Sequence, residues 1–182
     1  MSLTAGNNIF TVAEDQIVSL FAKSAKVRTF LSVASEALAR AKIYIGEIPQ
    51  LGKVDEDEID NDVYLSQFPC IVISAPEDGK WFTVRQEARD NVVQYSVDFR
   101  FAVRMEWLVD ETKDEQEQIR SFSNAAYGAL EEVLGTTSAE PDVFVPTAVE
   151  PIDGLYRADF RNRVGPGHIM GTALLFTREI TI

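Results

Sequence analysis

The sequence predicts an α+β fold: an antiparallel sheet with two main helices packed on one face, in the order α-β-β-β-α-β-β(-β). Three observations predict it. Residues 93–107 carry an apolar side chain at every odd position, a period of two sustained far beyond an ordinary strand. Two other stretches, 12–41 and 115–134, place their apolar residues at helical offsets instead. The strands are separated by short turn-forming segments, which suits antiparallel neighbours better than parallel crossovers.

Thr11 and Glu14 have capping-box spacing, so the first helix is expected to begin near Val12. Its apolar set runs through Ile17, Leu20, Phe21, Val27, Phe30, Leu31, Ala34 and Leu38. That pattern fits one long helix, or two with a break near Ser24, ending before the short apolar stretch IYIG. FPCIVIS, from Phe68 to Ser74, reads as a buried strand with Pro69 at its start, where a missing N–H is tolerated. Pro76, Asp78 and Gly79 predict a turn, WFTVRQ a second strand, and Asp90-Asn91 a turn into the long third strand, together an antiparallel meander.

The long strand is the unusual element. Its polar positions include Gln94, Ser96, Asp98, Arg100, Arg104 and Glu106, so one face should be core and the other should meet solvent or a partner. At a strand rise it would span about 50 Å, as long as a domain of this size is wide. Beyond it, Thr112 and Glu115 again have capping-box spacing. Ile119, Phe122, Ala126, Ala129, Leu130, Val133 and Leu134 form one apolar face, closed by Gly135. Two further strands are expected near 143–149 and 155–160. GPG at 165–167 then turns the chain into a final strand, HIMGTALLFTREITI.

At 182 residues the chain is expected to form a single domain, 1–182, with an acidic loop at 54–63. No window is apolar enough to span a membrane, and the N-terminus lacks the basic and apolar regions of a signal peptide, so a cytoplasmic origin is expected. The net charge of −12 is uneven, because residues 54–182 are strongly acidic while the first 53 are slightly basic. Such a chain repels nucleic acid unless it presents a basic face. The basic residues Lys23, Lys26, Arg28, Arg40 and Lys42 have no interleaved stacking aromatics, so no sequence-specific nucleic-acid binding is expected.

Motifs that would carry chemistry are missing. Cys70 is the only cysteine and His168 the only histidine, which excludes an intrachain disulfide and a Cys- or His-rich metal site within one chain. Cys70 lies in an apolar run and reads as a buried, inert thiol. VDEDEIDND packs six carboxylates between Asp55 and Asp62, but lacks the third acidic ligand and central glycine of an EF-hand loop. It reads as a self-repelling loop that a partner could order. Gly165, Gly167 and Gly171 have the wrong spacing for a dinucleotide loop, and no GxSxG or phosphate-binding loop occurs. Arg157, Arg161 and Arg163 with Asp159 read as alternating sheet-surface charges. No enzyme and no cofactor is expected.

Taken in order, these elements resemble the tail terminator proteins of long-tailed bacteriophages, the family of the lambda-type minor tail protein U. The resemblance rests on an acidic loop followed by QFPCIVIS, the long strand VVQYSVDFRFAVRMEW, the acid-started helix DEQEQIRSFSNAAYGALEEVL and the closing strand TALLFTREITI. It is a likeness of pattern over most of residues 12–182. The chain departs from the family in a longer N-terminal helical region and in 136–166, which looks like an insertion. The resemblance implies a homo-oligomeric ring, typically a hexamer, that caps the tail tube and joins it to the head connector in a virion tail assembled in the bacterial cytoplasm. Its partners would be the tail tube protein and a head-completion or connector protein. Candidate contacts are Asp55, Asp57, Asp60 and Asp62 in the acidic loop, with Arg104 and Trp107 at the far end of the long strand. Two other readings remain open from the residues: a small-ligand-binding or enzymatic α+β domain, and an oligomeric adaptor outside any phage.

Overall fold

Serine side chains divide the N-terminal helical region into three pieces. The computed structural model, which describes residues 9–46, 65–89, 92–135, 144–159 and 168–181, places α1 at Ile9–Lys23, α2 at Ala25–Phe30 and α3 at Glu36–Arg40. The break at Ser24 is a cap: its backbone is extended, and its Oγ accepts the Val27 N–H at 3.1 Å. Ser35 caps α3 likewise, accepting the Leu38 N–H at 3.3 Å. The expected cap at Thr11 is not used, because Thr11 already lies inside α1. A fourth helix, α4, spans Glu115–Gly135. Asp114 takes the capping role expected of Thr112, its Oδ1 accepting the Glu117 N–H at 2.9 Å, while the Thr112 hydroxyl turns back to Asp110.

Six strands form one sheet: β1 (Ile43–Ile45), β2 (Cys70–Ser74), β3 (Phe82–Arg89), β4 (Val92–Leu108), β5 (Ala148–Asp159) and β6 (His168–Thr181). The order is β1-β2-β4-β6-β5, with β3 also paired to β4. All pairs are antiparallel except β1 with β2. The fold is therefore α+β, with the helices of the core on one face of a mostly antiparallel sheet.

The expected meander is corrected, since β2 and β3 do not pair with each other. Both pair with β4, one after the other along the same side. Ser74 lies opposite Ala102 and Phe82 opposite Phe99, so β4 advances three residues while the other chain advances eight. The surplus residues leave the sheet as a loop, which closes back onto β4 through Arg100 and Asp78 at 2.7 Å and through Trp81 edge-on to Phe101. On its other side β4 pairs with β6 without interruption, from Ser96↔Thr181 to Leu108↔Ile169. The two strands expected between 143 and 160 are one strand, β5, whose register shifts at Pro151/Asp153 and Asp153/Tyr156. Segment 136–166, which reads as an insertion, thus supplies an edge strand of the sheet.

The core lies between the helices and the odd-numbered face of β4. Phe21 meets Phe176 edge-on at 5.4 Å, and Phe101 meets Phe144 at 5.5 Å. Phe30, Trp107 and Phe122 form a triangle of rings with centroids 6.0–6.1 Å apart. A second, smaller cluster of Phe68, Cys70 and Val72 packs on the opposite face with Tyr44, Leu65, Leu108 and Ile169. The even-numbered face of β4, expected to meet solvent or a partner, is partly covered within the chain itself, while Gln94 is exposed and Arg100 and Arg104 partly so. Ser96, Asp98, Ala102 and Glu106 are all less than a tenth exposed. Side chains of neighbouring strands reach the two carboxylates: Arg85 pairs with Asp98 at 2.6 Å, and the Tyr156 hydroxyl donates to Glu106 at 2.8 Å.

Candidate functional site

The length of β4 becomes intelligible where the helices stop. A strand of 17 residues spans about 56 Å at a strand rise, whereas helices of 15 and 21 residues reach only about 22 and 31 Å. One end of β4 therefore has to leave the core, and it is the N-terminal end. Phe99 and Val97 are buried, but Tyr95 and Val93, next on the same face, are about half exposed. Their partners on β3 behave alike. Phe82 pairs with Phe99 and Val84 with Val97, yet Phe82 and Val84 are 53% and 59% exposed. Phe82, Val84, Val93 and Tyr95 thus extend the apolar stripe of the core along an arm that no described helix covers; β6 flanks β4 as far as Ser96, and only the tip beyond is two-stranded. The arm's opposite face is polar and internally paired, with Arg85 between Asp98 and Glu179.

The Arg104–Trp107 end of β4, by contrast, is embedded between β2 and β6. The two residues point to opposite faces, as their spacing along a strand requires. Trp107 packs against Phe30 and Phe122 and lines a cavity of about 290 Å³, whose rim carries Asp110, Lys113, Glu117 and Gln118. Lys113 pairs with Asp110 at 3.1 Å, and hydrogen bonds from Thr112 and Lys113 hold the Asp110 carboxyl down at about 2. Gln118 is fully engaged with the loop: its Oε1 accepts the Asp110 N–H at 2.8 Å and its Nε2 donates to the Asp110 carbonyl at 2.9 Å.

Arg104 lies on the other face, half-exposed, its Nε 3.8 Å from a Glu106 carboxylate oxygen. Near Glu106, Tyr156, Cys70 and Tyr44 are held in their protonated forms. Burial raises the Tyr156 hydroxyl, with the adjacent Glu106 carboxylate adding to it, so the phenol remains a donor. Burial likewise pushes the Cys70 thiol up, which keeps it from being a nucleophile, as its apolar surroundings predict. The Tyr44 hydroxyl is pushed up to about 12 by burial. Gly171 makes the Tyr156–Glu106 bond possible, because a Cβ there would lie 2.3 Å from Tyr156 Cζ.

The four acidic-loop candidates, Asp55, Asp57, Asp60 and Asp62, lie outside the described residues, as do Arg161 and Arg163. Among the described residues no cluster of three metal-ligating side chains occurs. The basic residues of the helical region are spent on intramolecular contacts: Lys26 on Glu131, Arg40 on Asp15 and Glu36, and Lys42 on the Ser66 and Gln67 carbonyls. The arm residues were hidden in the sequence because their alternation matches that of the buried part of the strand. The signal that could have revealed them is the mismatch between strand and helix lengths. Neither protein-family models nor curated proteins give a match to this chain.

Proposed function

We propose that this chain is a structural assembly subunit of the tail-terminator kind, which forms a ring on the end of a tail tube and joins it to the head connector. Its work is binding, and no bond is made or broken. The projecting β3–β4 arm is the observation that carries this reading. Its apolar face is exposed, and its tip beyond the end of β6 is only two-stranded, an arrangement that favours association. The resemblance of its element order to the tail terminators supports the same reading, and Arg104 is half-exposed on the sheet face away from the helices. Mass in solution and negative-stain microscopy test it: a concentration-dependent ring with a central hole is expected. A strict monomer at all concentrations would sink the proposal.

The cavity beside Trp107 favours a second reading, a domain that binds a small ligand. A monomer whose melting temperature rises with a metabolite, and whose Trp107 fluorescence responds to it, would support that alternative.

A further inference from the structure

We infer that the cavity beside Trp107 binds a small arylalkylamine, its ring against Trp107, Phe122 and Met170 and its ammonium at the carboxylate of Glu117. The inference rests on the small-ligand reading and adds to it the chemical class of the ligand. The cavity lies at the end of β4 opposite the arm, where the chain turns from β4 into α4. Of the three rings in the triangle, Phe30 and Phe122 are buried, whereas Trp107 keeps part of its surface open and lines the cavity. Met170, opposite Trp107 on β6, adds a thioether to the same wall. The volume of about 290 Å³ exceeds the roughly 150 Å³ that holds benzene and falls at the bottom of the range for drug-sized ligands, so it suits one ring with a short chain.

The polar groups of the rim decide the charge of that chain. Both oxygens of Asp110 are taken, Oδ1 by Thr112 and Oδ2 by the Lys113 ammonium at 3.1 Å. Gln118 is spent on the backbone of Asp110 and Lys113. Asp114 accepts the Glu117 N–H at 2.9 Å, so it occupies the place an anion would take at the start of α4. What remains on the rim is the Glu117 carboxylate, with the Ser121 hydroxyl one turn further along, and neither has a partner among the described residues. The rim thus carries two carboxylates against one ammonium, and that ammonium is already neutralised. A cation gains there and a carboxylate ligand does not. The indole face of Trp107 adds to the preference, because aromatic faces attract cations.

The test follows Trp107 fluorescence in a Trp81→Phe variant, which leaves Trp107 as the single tryptophan. Three probes of one shape are compared: phenethylamine, 2-phenylethanol and 3-phenylpropionate. Phenethylamine should give a saturable change. The alcohol should bind about fivefold more weakly, the worth of an exposed ion pair, and the acid more weakly still. Glu117→Gln, at an exposed position, should bring phenethylamine down to the level of the alcohol while the melting temperature stays unchanged. An acid or alcohol that binds as tightly as the amine would overturn the inference, and so would a Glu117→Gln variant that binds the amine as wild type does. Each of those results still shows an occupied cavity, so the small-ligand reading survives them. No saturable response to any of the three probes would refute the inference and remove this cavity as support for that reading.

Discussion

Tyr156, Gly171 and Glu106 make one unit spread over three strands, and each member explains another. Glu106 is buried on the sheet face away from the helices, so its carboxylate needs a donor, and Tyr156 supplies one across the Cβ-less Gly171. Tyr156→Phe should cost about 1–3 kcal/mol in urea unfolding, because it strands a buried acceptor. Gly171→Ala should destabilise as well, and combining it with Tyr156→Phe should cost less than the sum, since both break one contact. Ser32 makes a separate residue-scale prediction. It holds a left-handed backbone, φ 57°, between α2 and α3. Ser32→Gly should therefore raise stability by up to about 1 kcal/mol.

Glu132 joins two helices, its carboxylate accepting from the Ser24 hydroxyl and, at 2.7 Å, from the Lys26 N–H. The Ser24 hydrogen bond is the largest cause holding its carboxyl below the ordinary 4.5. A depressed folded value means that its stabilisation is present above pH 4.5 and is lost as pH falls through the lower folded value. Glu132→Gln should flatten that part of the acid limb in a melting-temperature profile from pH 6 to about 3, and a parallel profile would show that the contact does not matter.

At the scale of elements, β4 decides the architecture. Phe101 is wholly buried at its middle, between Trp81 and Phe144, and Phe101→Ala should cost about 3–5 kcal/mol by denaturant titration. The strand itself was legible because its alternation never breaks, and so was the division at Ser24, a cap residue between two apolar runs. The caps at Thr11 and Thr112 were misread because capping-box spacing recurs by chance, and Asp114 is the better placed acceptor for α4. β5 looked like two strands because Pro151 and Gly154 interrupt its pattern, although shifts of register carry the pairing past them. The placement of β2 and β3 in line was not legible at all. Pairing order depends on which surfaces meet, and a turn signal at Pro76–Gly79 serves a hairpin or a loop leaving a continuing edge equally well.

For the molecule as a whole, the layers end at different places. The helical layer covers the sheet from Trp107 to Val97, and the arm continues alone. Amide exchange should reflect this gradient in the monomer, slowest in the β4–β6 ladder from Phe101 to Met105 and fast in β3 beyond Val84. Assembly should slow the exchange of β3 selectively, and uniform protection along β4 and β3 in the monomer would show that the arm is already covered. The candidate site was only half legible for the same reason. Sequence patterning marks which face of a strand is apolar, but where the covering layer stops is a property of the packed whole.

The unbroken pairing of β4 with β6 also governs how the chain reaches this structure. β6 is the last of the six strands in chain order, yet it lies in the sheet's interior, and Ser96 must find Thr181 across 85 positions of sequence. Until that happens β4 shows an open edge along most of its length, on the side away from β2 and β3. Pairings this distant in sequence close late, so folding is expected on a timescale of milliseconds to seconds rather than microseconds. The longest strand of the domain is therefore also its longest-lived sticky edge during folding, and a slow β6 would favour pairing with the wrong chain before the right one.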